Sequence, residues 1–404
     1  MLLDILEEHL EEAELLARRR DAALGSDAMD LAGLHTLELR LDAHLDALAI
    51  TGGSVLSELG EDLGGSGGHV AFAWAAASLC TRTPSRREDV LRAARGASSP
   101  ETTGVVSAWC YAPLDPSVRA RLGAWVESAD GSEVTAALEV LSFQRALDAV
   151  PMERFSRSPD PRVRAAAARA IGRMRRSDEG RALERLMRDP DPGIRDAALE
   201  AALLVRMPDT LARLRAIGDD ERARTAEWLR LLASAGNRSD AEAIRTSLGM
   251  PHLGEAALSA LATLGYGACA PMLVECMEDA AWARGAAVAF ERITGIACPA
   301  SGARPQSEQE EDDTFEDLRP IPDVPAVRRL WETRSADFDP GTRYRRGRPL
   351  RSEDWLTDPS RGSLQTRREE LFRLWATSPK PCRDVPLDAP ASRQRAARQE
   401  GGPL

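Results

Sequence analysis

Few side chains in this sequence stand at the spacings that catalysis or metal binding requires. The cysteines form no C-x-x-C pair, and the five histidines form no H-x3-H or H-E-x-x-H cluster. The glycine-rich stretch 64–68 lacks the Lys-Ser/Thr of a phosphate-binding loop, and neither a G-x-S-x-G nucleophile elbow nor a dinucleotide fingerprint on a predicted strand occurs. We therefore predict no catalytic residue, no cofactor, no metal and no enzymatic activity. We expect six reduced, buried cysteines: Cys80, Cys110, Cys269, Cys276, Cys298 and Cys382.

Carboxylates concentrate at the N-terminal end of the chain. Residues 1–62 hold 15 of the 64 acidic residues but only four of the 53 basic ones, so they carry the whole formal net charge of −11. A helix predicted over 2–20 places its acids on the solvated face, where carboxylates stay ionised. We interpret them as a surface for a basic partner and not as a catalytic pair. The residues of this predicted surface are Glu7, Glu8, Glu11 and Glu12.

The most basic local run lies near the C-terminal end and comprises Arg343, Arg345, Arg346, Arg348 and Arg351. Such a run can contact phosphate or nucleic acid, but we expect it to dock against the acidic hairpin or the acidic linker of its own chain. Residues 63–404 carry no net charge, which argues against a general nucleic-acid binder.

The elements that position these residues are predicted from a repeat of about 30 residues. Each unit reads as a helix-turn-helix, opened by an Asp that caps the first helix and followed by an arginine four residues later. We predict that this arginine pairs with the Asp of its own or the adjacent turn, so that a ladder runs along the stack; ligand clamping is the alternative. The arginine is missing at Gly254. The predicted ladder comprises Asp160, Arg164, Asp191, Arg195, Asp220, Arg224 and Arg284.

The motif Asp-Pro-x-Val/Ile-Arg-x-Ala-Ala, present at 160–167 and 191–198, resembles that of HEAT and HEAT-like repeats, including the variant described in phycobilisome lyases. This resemblance implies an all-α fold: a right-handed α-solenoid of helix pairs, with an N-terminal helical hairpin and a small C-terminal region. Four tryptophans fall in or beside first helices, where core packing is expected and a stacking surface is the alternative: Trp74, Trp109, Trp228 and Trp282.

The two ends of the chain add a second resemblance. Leucines at 34, 37, 41, 45 and 48 share one helical face, which predicts a hairpin that caps the solenoid. The stretch 39–48, the Arg-Tyr-x-x-Gly-x-Pro at 343–349 and the Ala-Pro-Ala-Ser-Arg-Gln at 389–394 resemble an uncharacterised proteobacterial family with HEAT-like repeats, often encoded near type VI secretion genes. That family has no established reaction.

We divide the chain into an acidic cap (1–62), a solenoid of about seven or eight units (69–297), an acidic, Pro-rich flexible linker (298–325) and a C-terminal region (326–404). Short helices are expected at 325–336 and 362–376, anchored by Trp331, Phe372 and Trp375. The predicted function is a non-enzymatic protein-binding scaffold or adaptor. The resemblance implies a secretion accessory factor, with a secreted effector or a secretion component as partner. The alternatives are a lyase-type enzyme and a nucleic-acid binder. We expect a cytoplasmic protein that does not bind membranes.

Overall fold

A computed structural model describes residues 2–51, 53–61, 63–81, 83–95, 100–301, 320–351, 354, 362–378 and 386–399. Most of the predicted linker, including the acidic stretch 308–317, lies outside the described residues, as does Cys382. The flexibility of the linker therefore stays a prediction.

The described residues are mainly helical. Short 3₁₀ turns occur at Phe155–Arg157, Ser177–Glu179, Glu221–Ala223, Arg238–Asp240, Thr246–Gly249, Pro251–Leu253 and Ser335–Asp337. The only sheet found in the described ranges is an antiparallel pair of two-residue strands, β1 (Tyr344–Arg345) and β2 (Arg348–Pro349). The helices in chain order are α1 (Leu2–Leu24), α2 (Leu31–Thr51), α3 (Gly53–Glu61), α4 (Gly68–Cys80), α5 (Pro84–Ala93), α6 (Pro100–Tyr111), α7 (Pro116–Trp125), α8 (Gly131–Phe143), α9 (Pro161–Arg173), α10 (Gly180–Leu186), α11 (Pro192–Leu204), α12 (Thr210–Gly218), α13 (Ala226–Ala235), α14 (Ala241–Arg245), α15 (Gly254–Leu264), α16 (Cys269–Cys276), α17 (Ala283–Thr294), α18 (Val324–Arg334), α19 (Leu364–Thr377) and α20 (Ala391–Gln399).

Aspartates begin several first helices, as the repeat predicts. The carboxylate of Asp160 accepts a hydrogen bond from the Arg162 amide, and that of Asp191 accepts from the Gly193 and Ile194 amides. A proline follows each Asp in the first helical turn, where its missing N–H costs nothing. Each such cap stabilises its helix by about 1 kcal/mol.

The chain forms two compact units. The first contains Met1–Met207, Asp358–Leu371 and Ser378–Leu404, and the second contains Pro208–Thr357 and Phe372–Thr377. These units group the residues differently from the four segments of the sequence-based division, because the N-terminal hairpin and the C-terminal segment belong to the same unit as the first repeats.

In the first unit, the first helices of successive pairs stack side by side: α4 on α6, α6 on α8, α8 on α9 and α9 on α11. The second helices α5, α7 and α10 each pack against the first helix that follows. The hairpin of α1 and α2 packs on α4, with Leu34, Leu41, Leu45 and Leu48 buried and Leu37 half-buried. This arrangement is the predicted all-α solenoid of helix pairs.

The second unit repeats this pattern. Helix α13 stacks on α15 and α15 on α17, while α12, α14 and α16 pack against the first helices that follow them. Helix α18 contacts α16, and its Trp331 ring lies 5.7 Å from that of Phe290 and 5.5 Å from that of Phe338. Phe372 and Trp375, the other two predicted anchors, are buried.

Tryptophan side chains fill the core of both units. Trp74, Trp109 and Trp228 are at most 2% exposed, and the indole of Trp74 donates to the Leu56 carbonyl at 2.8 Å. These three therefore pack in the core as expected, whereas Trp282 is half-buried. None of the helices in the described ranges is both long enough and apolar enough to cross a membrane.

Candidate functional site

The anchor arginines bind backbone carbonyls. Arg164 donates to the Ser158 carbonyl at 2.9 Å, and Arg195 donates to the carbonyls of Asp189 and Pro190, each at 2.9 Å. Arg224 donates through Nε and Nη2 to the Gly218 carbonyl, at 2.9 and 2.6 Å. In all three units an acceptor lies six residues before the arginine. These carbonyls lie in or next to the turn that precedes each anchor, so the arginine supplies a donor to backbone acceptors of that turn.

One rung of the predicted Arg–Asp ladder does form, although not with a capping aspartate. Arg164 pairs with Asp189, with Nε and Oδ2 2.7 Å apart, and this pair holds the pKa of Asp189 below its usual value although burial opposes the effect. The capping residues Asp160, Asp191 and Asp220 instead accept backbone amides. Because carbonyls are the recurrent acceptors, the ladder differs from the one that we predicted.

The irregular anchor at Gly254 has a packing cause. A Cβ at this position would collide with the six-membered ring of Trp282, which lies directly over it. Trp282 of the next unit therefore occupies the space that the Cβ of any larger residue at position 254 would need. At the following anchor, the Nε atom of Arg284 is buried and has no hydrogen-bond partner in the described part of the chain.

The basic run near the C-terminal end also contacts carbonyls. Arg343 donates to the carbonyls of Leu264 and Thr263, at 2.9 and 3.1 Å, and Arg345 donates to that of Ala262 at 2.7 Å. These are the last carbonyls of α15, which lack intrahelical donors and lie at the negative end of the helix dipole. These two side chains therefore cap α15. Docking of the run against the acidic linker, most of which lies outside the described residues, stays a prediction.

Other predicted surface residues do reach solvent. Arg346 and Arg348 are exposed, as are Glu7, Glu8 and Glu11, while Glu12 is half-buried. Arg351 is also exposed. Whether either set binds a partner stays a prediction.

The free cysteines follow the prediction only in part. Cys269 is buried, and Cys110, Cys276 and Cys298 are half-buried. Cys80 is exposed, which contradicts the expectation for that residue, because it stands in the last turn of α4 beyond the packed part of the helix. No group of three or more His, Cys, Asp or Glu side chains is placed to hold a metal among the residues that the structure describes.

Sequence reasoning missed a groove in the first unit. Helices α1, α4, α6, α8 and α9 line a cavity of about 880 Å³. Helices α4 and α6 approach closely here, since a Cβ at Gly104 would collide with the Gly68 carbonyl. The lining combines hydroxyl groups (Thr102, Thr103, Ser107, Ser132 and Thr135), apolar side chains (Phe72, Val106 and Phe143) and charged groups (Arg20, Glu139, Arg162, Arg169, Arg173 and Asp388).

The charged floor of the groove is centred on Glu139. Its Oε1 accepts from Arg169 Nε and its Oε2 from Arg173 Nη1, each at 2.6 Å. Burial raises the pKa of this carboxyl, but the two guanidinium groups lower it more, and the net pKa is below the usual value. Two cations therefore share one anion, which leaves a local excess of one positive charge.

One end of the groove holds a buried ion pair. Arg20 Nε lies 2.9 Å from Glu38 Oε1, and both residues are buried. Arg20 also donates to the Asp388 carbonyl at 2.8 Å, and Glu38 Oε2 accepts the Ala391 amide at 2.6 Å. Burial raises the pKa of Glu38 despite the opposing charge of Arg20. This ion pair thus holds the main chain of the C-terminal segment.

A phenol and a thiol lie beside this ion pair. The Tyr111 hydroxyl donates to Asp42 Oδ1 at 2.6 Å, and the Arg20 guanidinium stands 5.1 Å from the centre of the Tyr111 ring. Burial and the charge of Asp42 raise the pKa of Tyr111 far above its usual value, and burial raises the pKa of Cys110 to about 12. Both groups are protonated at neutral pH.

Two of the segments that resemble the proteobacterial family, 39–48 and 389–394, lie together beside the ion pair of Arg20 and Glu38. Residues 389–394 lie against α2, the helix that contains most of the stretch 39–48, and Ala391 contacts Glu38 in that helix. No local pattern could have predicted this meeting, because the two contacting residues are 353 positions apart. The sequence indicated this contact only through the resemblance of both ends of the chain to one family.

Comparison with known proteins agrees with the class that these stacked helix pairs define, an all-α solenoid. Residues 149–234, from the turn before α9 to α13, match the family of HEAT repeats. The chain therefore contains HEAT-like repeats in this stretch. A search of the curated proteins finds no match.

Proposed function

We propose that this chain is a non-enzymatic scaffold that binds a segment of a partner protein in the groove of its first unit. The observation that carries the proposal is the groove itself, a cavity of about 880 Å³ across four successive first helices. Stacked helix pairs generally present such extended surfaces to proteins, and HEAT repeats are generally protein-interaction scaffolds.

The lining suggests the kind of segment that is bound. The Ser107 hydroxyl can donate to a main-chain carbonyl or accept from a main-chain amide. That of Thr135, which already donates to the Gly131 carbonyl, can accept from a main-chain amide. Phe72 and Phe143 offer apolar contacts, and the excess positive charge around Glu139 favours an acidic side chain. We therefore infer a partner segment with a carboxylate next to apolar residues.

The titratable groups of the groove support binding over catalysis. A general acid or base works best with a pKa near neutral pH, and nucleophiles need a neighbouring base. The pKa values of Tyr111 and Cys110 are raised away from neutrality, and Glu139 is held by two arginines. These groups favour a structural role.

The finer assignment rests on resemblance alone. The stretches 39–48, 343–349 and 389–394 resemble a proteobacterial family encoded near type VI secretion genes. On that basis we propose a cytoplasmic adaptor or accessory factor for secretion, whose partner is a secreted effector or a secretion component.

The test is co-purification with the neighbouring secretion proteins, using variants that fill the groove. Ser107 is exposed on α6 and lines the groove, so Ser107→Trp should abolish partner recovery. Ala120 is exposed on α7 and does not line it, so Ala120→Trp is the matched control. Equal recovery with both variants, or no recovered protein with the unmodified chain, contradicts the proposal.

A further inference from the structure

The C-terminal residues 386–394, here called the tail segment, are held through both backbone and side-chain groups. Among the side chains, Arg367 donates to Gln394 Oε1 and Arg368 pairs with the Asp388 carboxylate. The Asp388 carbonyl accepts from Arg20, and the Ala391 amide donates to Glu38. Both charged partners are buried, at 7% and 3% exposure. The surface formed by Arg20, Glu38 and the C-terminal carbonyls of α6, here called the tail seat, therefore recognises main-chain groups, as peptide-binding sites do.

Small side chains fit the tail segment to the tail seat. Ala389 and Ala391 are both 0% exposed, and Ala391 packs in a cluster that includes Leu31 and Leu34. Gln394 donates to the carbonyls of Leu387 and Ala389, at 2.9 and 2.7 Å, which fixes a turn within the segment itself. The segment thus carries part of its bound shape in its own hydrogen bonds.

The Arg393 side chain makes a further contact, which the rest of the unit does not require. Arg393 donates to the carbonyls of Cys110 and Tyr111, each at 3.4 Å. Gln144 already donates to Cys110 at 3.2 Å and to Ala112 at 2.9 Å, so the end of α6 keeps a donor when Arg393 leaves. Burial lowers the pKa of Arg393, because its charge is removed from water.

Release of the tail segment keeps the ion pair of the tail seat, although Arg367 on α19 then loses its hydrogen bond to Gln394. Glu38 keeps its hydrogen bond with Arg20, and water can replace the Ala391 amide. Burying an ion pair carries a desolvation cost, which is relieved when the covering segment departs. A preformed seat with a removable cover is the arrangement that competition between an internal and an external peptide needs.

We propose that the tail segment is a displaceable internal ligand, and that the tail seat binds partner segments of the same chemistry: two small residues flanking a proline, with an arginine two residues further on. Arg20, Tyr111 and Asp388 line the groove as well, so the bound tail segment closes that end of the groove. This inference rests on contacts separate from the groove floor and does not require the proposed partner there.

The experiment uses the full chain and a fluorescent peptide of residues 386–399. The unmodified chain should bind the peptide at least about tenfold more weakly than Ala391→Glu, because a tethered segment competes at an effective concentration of about millimolar. Glu at the buried position 391 prevents the chain's own tail segment from docking but leaves the seat unchanged.

Further variants assign the binding to the seat. Adding Glu38→Gln to Ala391→Glu should weaken peptide binding by about tenfold or more. Adding Glu7→Gln, an exposed acid on α1, is the matched control and should change nothing. Equal peptide binding by the unmodified chain and a folded Ala391→Glu variant overturns the proposal, as does binding that is indifferent to Glu38.

Hydrogen exchange on the unmodified chain is a second measurement that needs no variant. The amide of Ala391 should exchange at least about 100-fold faster than the interior amides of α9, because the segment opens without unfolding the unit. Equal protection of the two would refute displacement. The peptide and exchange results require no secretion partner, so they can fail or succeed independently of the co-purification with Ser107→Trp.

Discussion

Neutralising Glu139 tests how the groove of the first unit is held together. Glu139→Gln keeps the shape of the side chain but removes the charge that Arg169 and Arg173 share. The Glu139 side chain is 14% exposed, whereas those of the two arginines are 40% and 32% exposed. Water can therefore solvate part of the guanidinium charge that the variant leaves without a carboxylate. We expect a loss of about 2 kcal/mol, below the 3–5 kcal/mol of a fully buried pair.

The matched control is Glu153→Gln, which removes a more exposed carboxylate paired with Arg157. Exposed pairs contribute about 0–1 kcal/mol, so this variant should be close to neutral. A chain with two units need not unfold in one transition, so the readout is hydrogen exchange of α8 and α9 peptides across a urea series. Peptides from α15, in the second unit, serve as the internal reference.

The stability loss caused by Glu139→Gln should depend on pH, and the pKa of Glu139 gives the direction of that dependence. The folded pKa of Glu139 lies below its ordinary value of 4.5, so the carboxylate contributes stability above that pH. This contribution is lost as the pH falls through the folded pKa. The stability gap between the unmodified chain and Glu139→Gln should therefore be full at pH 7 and should shrink as the pH falls below 4.5 toward the folded pKa. A gap equal to that of Glu153→Gln at pH 7, or one that widens in acid, refutes the reasoning.

Three further perturbations test the packing, the capping and the thiols. Restoring the repeat motif with Gly254→Arg should destabilise the second unit by about 1–3 kcal/mol, because an indole ring occupies the space; a higher urea midpoint would contradict this. Arg345→Ala should lower the free energy of unfolding by about 1–3 kcal/mol, because α15 loses its cap. Replacing the exposed Arg348 by Ala should change it by no more than about 0.5 kcal/mol, and equal melting shifts for the two variants would contradict this. At pH 8 an alkylating reagent should label the exposed Cys80 at least about 100-fold faster than Cys269, because burial raises the pKa of Cys269 to about 12. Peptide mapping that finds equal labelling of the two thiols would contradict this.

The fold could be predicted because its signals are local. The Asp-Pro pair caps a helix through atoms within three residues, and the alanine run allows close packing wherever helices stack. The partners of Arg164, Arg195 and Arg224 could not be predicted in the same way. They donate to backbone carbonyls. Because every residue has a carbonyl, the sequence does not indicate which residue is the acceptor.

The groove and the tail seat depend on contacts between distant residues. Glu38 and Ala391 meet across most of the chain, and the lining of the groove takes its side chains from four successive first helices. Repeat periodicity predicts that such helices stack, but it does not say which exposed positions of neighbouring repeats combine into a surface. Composition likewise could not show that Cys80 lies beyond the packed part of its helix.

The structure also divides the negative charge of the N-terminal hairpin into two sets. Glu38 is buried against Arg20 and the tail segment, and burial raises the pKa of its carboxyl, whereas Asp42 accepts the Tyr111 hydroxyl and is exposed. Glu7, Glu8 and Glu11 are exposed to solvent. Exposed charges attract a basic partner over distances that salt screens, whereas the buried charge of Glu38 is shielded from salt and contributes to a short-range contact. The acidic hairpin can therefore serve a salt-sensitive encounter on its outer face while its inner face holds the end of its own chain.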